Sequence, residues 1–380
     1  MSFLKDHLER IIDTYEGHPP LPGFLRNYFR AYPKLGSRDR RALSEAAFLY
    51  YRCKSFYRDV SSAMEVVTYG YLLCKSTNVF LGKMLQPYLE DKRQNFIEPD
   101  IVTSIQSPLS PSISQQHWLK SMWQQPQLFI RVRKEREHVL ALLEQQNMPY
   151  VVTTIEENNE QDCIMLDNGT AIDKFLPEDA YTVQDWASQA SMYQLMKVAK
   201  QPATVWDVCS GAGGKSILLK DKLPPFSLLA SDIRETILHN LKMRFRLYGL
   251  HKTKTIVVNS ADAMAVAASI GSQKFDLVLC DVPCSGSGTW ARTPEQFLFF
   301  KDDQLKKFEE LQYPIVYNAS KHVADGGILA YVTCSIFRQE NEDVVERLLH
   351  NTGLELIHQQ VINGIEQKAD CMFIAIFRRA

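Results

Sequence analysis

Thr204-Val205-Trp206-Asp207-Val208-Cys209-Ser210-Gly211-Ala212-Gly213-Gly214-Lys215 decides how this chain is read: a β-rich run, a turn of small residues, then the opening of a helix-length segment. A Gly-rich turn in that place lets backbone N–H groups approach a ligand closely at a helix N-terminus. Two phosphate loops can be tested against it. A Walker A loop needs Gly five residues before the Gly-Lys pair, where Cys209 stands, and a GxGxxG fingerprint starting at Gly211 needs Gly at Ser216. Both templates fail. A turn that merely connects strand to helix is the bland alternative, but it does not account for the polar and reactive residues at the ends of the other strands.

After Asp173, short β-rich runs alternate with helix-length segments, the pattern of a parallel sheet with helices on both faces. Strands are predicted at Thr204–Val208, Leu228–Ser231, Thr255–Val258, Phe275–Cys280 and Ile328–Val332. Leu354–Gln359 and Met372–Phe377 have no helix-length gap between them and read as a hairpin closing the sheet. Such a sheet takes its ligand at the carboxyl ends of the strands. There each predicted strand hands over to polar or reactive residues. Asp232, 21 residues after Gly211, stands where a carboxylate accepts both hydroxyls of a ribose, with a helix cap as the other reading. Asp262 suits an adenine amino group or a cap equally. Asp281-Val282-Pro283-Cys284-Ser285-Gly286-Ser287-Gly288 comes after the fourth strand and Thr333-Cys334-Ser335 after the fifth. In the usual order strands one, four and five are neighbours about 4.8 Å apart, which brings Asp281, Cys284 and Cys334 to one cleft. Cys280 should point into the core, and no His stands at ligand spacing, so no metal is expected.

The rest of the chain sets bounds on this reading. With 380 residues, 45% of them hydrophobic, there is material for two or three domains, and disorder is excluded as the overall state. No apolar stretch reaches the roughly 18 residues that span a bilayer, and the charged start MSFLKDHLERII lacks a secretory h-region, so a cytoplasmic protein is expected. Eight cysteines with no CxxC pair read as reduced thiols. Phe3, Leu4, Leu8, Ile11, Ile12 and Tyr15 begin a helical module (1–98). Pro99, Pro108 and Pro111 mark a connecting segment (99–126), and a strand LFIRVR, a helix (134–146) and strands near 150–154 and 163–166 make a small α/β unit (127–183) before the sheet domain (184–380). Net charge is −1, but residues 1–75 hold 12 Lys+Arg against 8 Asp+Glu. Basic clusters at Lys34, Arg38, Arg40, Arg41 and at Arg131, Arg133, Lys134, Arg136 are either solvated faces or faces for a polyanion.

With these motifs in place, the sequence resembles the Nol/Nop/Sun family of RNA (cytosine-5) methyltransferases, in particular the bacterial Sun/Fmu-type enzymes of 16S ribosomal RNA. The matching motifs come in the family's order: Gln184-Asp185-x-x-Ser188-Gln189, 207–215, 281–288, and 333–335 with Glu340-Asn341-Glu342 after them. Asp370-Cys371-Met372-Phe373, the basic strand 129–133 and Gly36-Ser37-Arg38-Asp39-Arg40 extend the likeness more loosely. Departures are Ser210-Gly211-Ala212 where the family carries Ala-Ala-Pro, Arg133 where Asn is common, and the missing Gly and second Phe at 370–373.

The resemblance implies a Rossmann-like class I methyltransferase sheet, parallel with one antiparallel strand, preceded by an RNA-recognition-like unit and a helical, RNA-binding module. It implies S-adenosylmethionine held by Cys209, Ser210, Gly211, Ala212, Gly213, Gly214, Lys215, Asp232, Asp262 and Asp281. Cys334 is implied as the nucleophile on cytosine C6, Asp281 as the group on the base's N3/N4 edge, and Cys284 as the thiol that helps the adduct break down. Lys215 is an implied contact to the edge of an RNA cytosine taken out of its stack. Arg292, on the loop after Gly288, reads as a candidate phosphate contact or equally as a solvated arginine. The basic clusters would place the RNA. A monomer is expected, with no appended RNA-binding segment after residue 380. Transfer RNA as substrate, methylation of a protein or small molecule, and an assembly factor with a relict pocket are the competing readings; the paired thiols speak against a protein or small-molecule acceptor.

Overall fold

The structure, a computed structural model, describes residues 2–94, 96, 98, 99, 101, 103, 105–155 and 160–380. Two compact units emerge: residues 1–106, 114–125 and 289–302 form one, and 107–113, 126–288 and 303–380 the other.

The first unit is helical, with helices at Ser2–Thr14, Leu21–Ala31, Ser37–Lys54, Ala63–Leu73 and Val79–Gln94. Leu4, Leu8, Ile11 and Tyr15 recur every three or four residues and are buried as one stripe. Asp39 closes the start of its helix by accepting the Gly36 N–H at 2.9 Å. Arg52, 2% exposed, donates to the carbonyls of Met122, Gln124 and Ala291 and to Gln125 Oε1, so one guanidinium ties three separate segments together. Two of those segments depart from the expected divisions. Residues 114–125 are packed rather than connecting, since the helix Gln115–Ser121 buries Trp118 and Leu119 to 1% exposure. Residues 289–302, expected within the sheet domain, pack here, with Trp290 5.8 Å from Trp118.

The second unit holds two sheets. The smaller has the order β2-β3-β1-β4, from β1 (Leu128–Val132), β2 (Tyr150–Ile155), β3 (Glu160–Leu166) and β4 (Tyr181–Val183), with the helix Arg136–Gln145 between β1 and β2. The larger is built from β5 (Thr204–Asp207), β6 (Ser227–Asp232), β7 (Thr253–Val257), β8 (Phe275–Asp281), β9 (Val323–Thr333), β10 (Leu354–Asn363) and β11 (Cys371–Arg379). Its order is β10-β11-β9-β8-β5-β6-β7. β5 to β9 run parallel, and β11 enters antiparallel between β9 and β10. The hairpin expected at the carboxyl end is thus present, with its second strand on the inside. Central strands are apolar on both faces because both are covered: Leu277, Leu279, Ala330 and Val332 pack on one side, Val278, Cys280, Leu329 and Tyr331 on the other.

The second basic cluster needs correction. Arg131 and Arg133, expected on an RNA-facing surface, are buried and both pair with Asp221 at 2.7 Å, while Lys134 pairs with Asp179 and Arg136 with Glu137. Arg133 also lies 3.9 Å over the Tyr248 ring. These two guanidinium groups fasten the small sheet to the helix Gly214–Lys222 of the larger layer. Among the described residues, no helix is long and apolar enough to cross a membrane.

Candidate active site

The turn after β5 is fixed by its own small residues. Ser210 donates through both N–H (2.8 Å) and hydroxyl (3.1 Å) to the Ser231 carbonyl, which stiffens the loop two residues ahead of Ala212. Gly213 has φ +80°, and a Cβ there would stand 2.2 Å from Leu241 Cδ1, which leaves glycine as the residue that fits. Asp232, at the end of β6, accepts the Gly211 N–H at 3.1 Å and is also clasped by the backbone and guanidinium of Arg234. Burial pushes its carboxyl up, but the Arg234 and Gly211 bonds outweigh this and hold it below the usual carboxylate range. Asp262 caps the helix Ala263–Ile270, taking the N–H groups of Met264 and Ala265 on Oδ1.

Burial raises the pKa of both Asp207 and Cys209. Burial lifts the Asp207 carboxyl to about 7; Oδ2 accepts the Ser216 hydroxyl at 2.5 Å, and Oδ1 is buried with no partner among the described residues. Burial also drives the Cys209 thiol up, so this sulfur stays neutral.

Strands β8 and β9 are adjacent, with Asp281 in register with Val332, and deliver the remaining groups together. Lys215 Nζ lies 2.6 Å from Asp281 Oδ2. Burial opposes the ammonium, but the Asp281 charge and hydrogen bond, with Cys334 adding to them, raise it above the usual lysine value. Cys284 Sγ and Cys334 Sγ are 3.3 Å apart, both half-buried. The bond to Cys334 and burial push the Cys284 thiol up, which favours its protonated form. Gly288 N–H donates to the Cys334 carbonyl at 2.9 Å, and a Cβ at Gly288 would meet the Cys371 carbonyl at 2.2 Å.

A buried carboxylate, Glu340, holds both thiol-bearing loops. It accepts the Ser285 N–H (2.7 Å), the Ser285 and Ser335 hydroxyls (2.5 Å each) and Gln312 Nε2 (3.0 Å). Asn341 accepts the Thr333 hydroxyl and donates to the Ser335 carbonyl and Ser110 Oγ. Glu340 and Asn341 belong to a motif visible in the sequence, yet their roles are not readable there because their partners come from remote segments of the chain. Ser216 and Arg234 are further members of the site that no local signal announces, and Asp207 is visible as a strand end while its bond to Ser216 is not. Arg292, by contrast, lies in the helical unit, half-buried, its N–H donating to the Thr289 carbonyl. Among the described residues, no cluster of His, Cys, Asp and Glu is arranged to hold a metal.

The sheet order is that of the class I methyltransferase fold. Residues 194–376, just under half of the chain, match the family model described as 16S rRNA methyltransferase RsmB/F. Ribosomal RNA small subunit methyltransferase B of an Escherichia coli strain is 28% identical over 235 residues, 60% of this chain and 52% of that protein. The chain therefore matches about half the length of these curated relatives. In fold, it is similar to PH0851 (TM-score 0.68, 18% identity, 93% of each chain) and to NSun6 from Pyrococcus horikoshii with SFG (TM-score 0.55, 13% identity, 67% of this chain and 91% of that one).

Proposed function

We propose that this protein methylates C5 of a cytosine in RNA, in the small-subunit ribosomal RNA of the cytoplasm, through a covalent bond from Cys334 to C6. The observation that carries the reading is the thiol pair beside an ammonium–carboxylate pair at the carboxyl edge of one sheet. The relatives are methyltransferases of small-subunit ribosomal RNA by name, and this supplies the substrate class. The NSun6 structure from Pyrococcus horikoshii is one with SFG, an analogue of S-adenosylmethionine, and the residues here suit that group. Asp232 and the Gly211 turn would take the ribose, Asp262 Oδ2 the adenine amino group, and the orphaned Asp207 Oδ1 an ammonium such as that of the methionine part. S-adenosylmethionine supplies the methyl group.

C5 of cytosine is a poor nucleophile until the ring's aromaticity is broken. The Cys334 sulfur attacks C6, and the S–H of Cys284 beside it stabilises charge on that sulfur before attack. Asp281 meets the N3/N4 edge and relays a proton from the Lys215 ammonium to N3, which neutralises the charge that forms there as the adduct is made. After transfer, Cys284, its own proton passed to water, takes the C5 proton; the C5–H electrons re-form the C5–C6 double bond, the C6–S bond breaks with Cys334 leaving as thiolate, and N3 returns its proton to the Lys215–Asp281 pair. The target base has to be unstacked, because C6 is out of reach inside a helix. Incorporation of labelled methyl groups into RNA, with bisulfite mapping of the product, tests the reading; transfer to protein alone, or to another base position, sinks it.

A further inference from the structure

We propose that Cys284 and Cys334 are an oxidative modification site: a hydroperoxide converts the pair to a disulfide, a reversible off state. The sulfurs are already 3.3 Å apart, and a disulfide needs about 2.05 Å, so the loops must close by roughly 1.3 Å. They are held near each other before any oxidant arrives. Ser285, beside Cys284, and Ser335, beside Cys334, bond the same Glu340 carboxylate, and Gly288 N–H grips the Cys334 carbonyl. Both thiols are half-buried, within reach of a small oxidant, whereas Cys163, Cys280 and Cys371 are buried.

The chemistry balances without further reactants. The Cys334 sulfur attacks the terminal oxygen of the hydroperoxide, the O–O bond breaks, and Cys334 becomes a sulfenic acid while an alcohol (water, for hydrogen peroxide) leaves. Cys284, which holds its proton because of the bond to Cys334 and burial, then attacks the sulfenic sulfur; its proton departs with the hydroxyl as water. Two thiols lose two electrons and one hydroperoxide gains them. Two equivalents of a reducing thiol reverse the change by exchange, ending as a disulfide themselves. A sulfenic acid with no neighbouring thiol goes on to irreversible sulfinic acid, so Cys284 also protects its partner.

Loss of activity in the crosslinked state rests on the proposed function; the crosslink itself does not. The full chain, without RNA, is treated with stoichiometric hydrogen peroxide, alkylated and mapped by mass spectrometry. Mapping also separates this pair from Cys53 and Cys74, which hydrogen-bond each other in the helical unit. The expected result is a linked peptide pair carrying residues 284 and 334, lost on reduction with dithiothreitol, and RNA methylation that disappears and returns with it. In Cys284→Ala, Cys334 should instead be trapped by dimedone and then over-oxidised. Alkylatable Cys284 beside an oxidised Cys334 in the unaltered protein, or a link confined to residues 53 and 74, overturns the proposal. A protein that forms the crosslink yet never methylates RNA refutes the functional reading alone; one that methylates RNA and forms no crosslink refutes this inference alone.

Discussion

The ammonium of Lys215 rests 2.6 Å from the carboxylate of Asp281, joining the helix after the Gly-rich turn to the end of β8. The pair fixes the orientation of the carboxylate that is proposed to meet the base, and its lysine stays protonated because Asp281 outweighs burial. Lys215→Met should lower methyl transfer by about a hundredfold or more, the scale of losing one preorganised electrostatic contact. Cofactor affinity, read by calorimetry, should change far less. A large loss of affinity with an unchanged rate would make Lys215 a cofactor ligand instead.

The two sulfurs should fail differently. Cys334→Ser is expected to abolish both transfer and adduct, since a serine hydroxyl is a far poorer nucleophile here. Cys284→Ala should leave attack intact and block release, accumulating a protein–RNA band stable to denaturing electrophoresis. Should the adduct survive loss of Cys334 and vanish with Cys284, the roles are reversed.

Glu340 acts on both loops without touching a reacting atom. Glu340→Ala leaves the Ser285 N–H, two hydroxyls and the Gln312 amide without their acceptor, a loss of roughly 2–5 kcal/mol. Denaturant unfolding reads that loss. Kinetics should show a lower kcat with cofactor binding retained, because these bonds hold the thiol loops and the Gly211 turn is held by Asp232. Glu340→Gln keeps one acceptor and should recover part of both.

Asp207 gives a pH test. Its carboxyl is raised from 3.8 to about 7 by burial, so between about pH 4 and pH 7 the unfolded chain has lost a proton that the folded protein keeps. Stability from this group therefore falls as pH rises through that window, by about 1.4 kcal/mol per unit of separation at most. Asp207→Asn removes the titration, so its stability relative to the unaltered protein should improve from pH 4 to pH 8. A difference that is flat with pH would show that Asp207 ionises normally.

The strand ends are legible because residue type and spacing both carry information: Asp207, Asp232, Asp281, Cys284 and Cys334 each come after an apolar run whose length announces a strand. Local signals fail where the partner is remote. β4 has only three residues, too few for an alternation to register. The helix around Trp118 is hidden by the prolines upstream, although Trp118, Leu119, Met122 and Trp123 have helical spacing. Glu340 is visible as a motif member, but its bonds to residues 285 and 312 exist only in three dimensions.

Arg131 and Arg133 mislead for the same reason, since a run of basic residues does not reveal a carboxylate 88 to 90 positions away. Asp221 receives both guanidinium groups in a buried setting, and Arg131 Nη1 is already without a partner among the described residues. Asp221→Ala should therefore destabilise the protein by about 3–5 kcal/mol, because two buried charges lose their counter-ion. Replacing Arg131, Arg133 and Asp221 together by apolar residues of similar volume should recover much of that loss. The salt dependence of RNA binding checks the correction from the other side. A phosphate contact contributes nearly one unit to the slope of log affinity against log salt, and an arginine committed to Asp221 contributes none. Arg133→Met should leave the slope unchanged; a shallower slope in a variant that remains folded would return this arginine to the RNA surface.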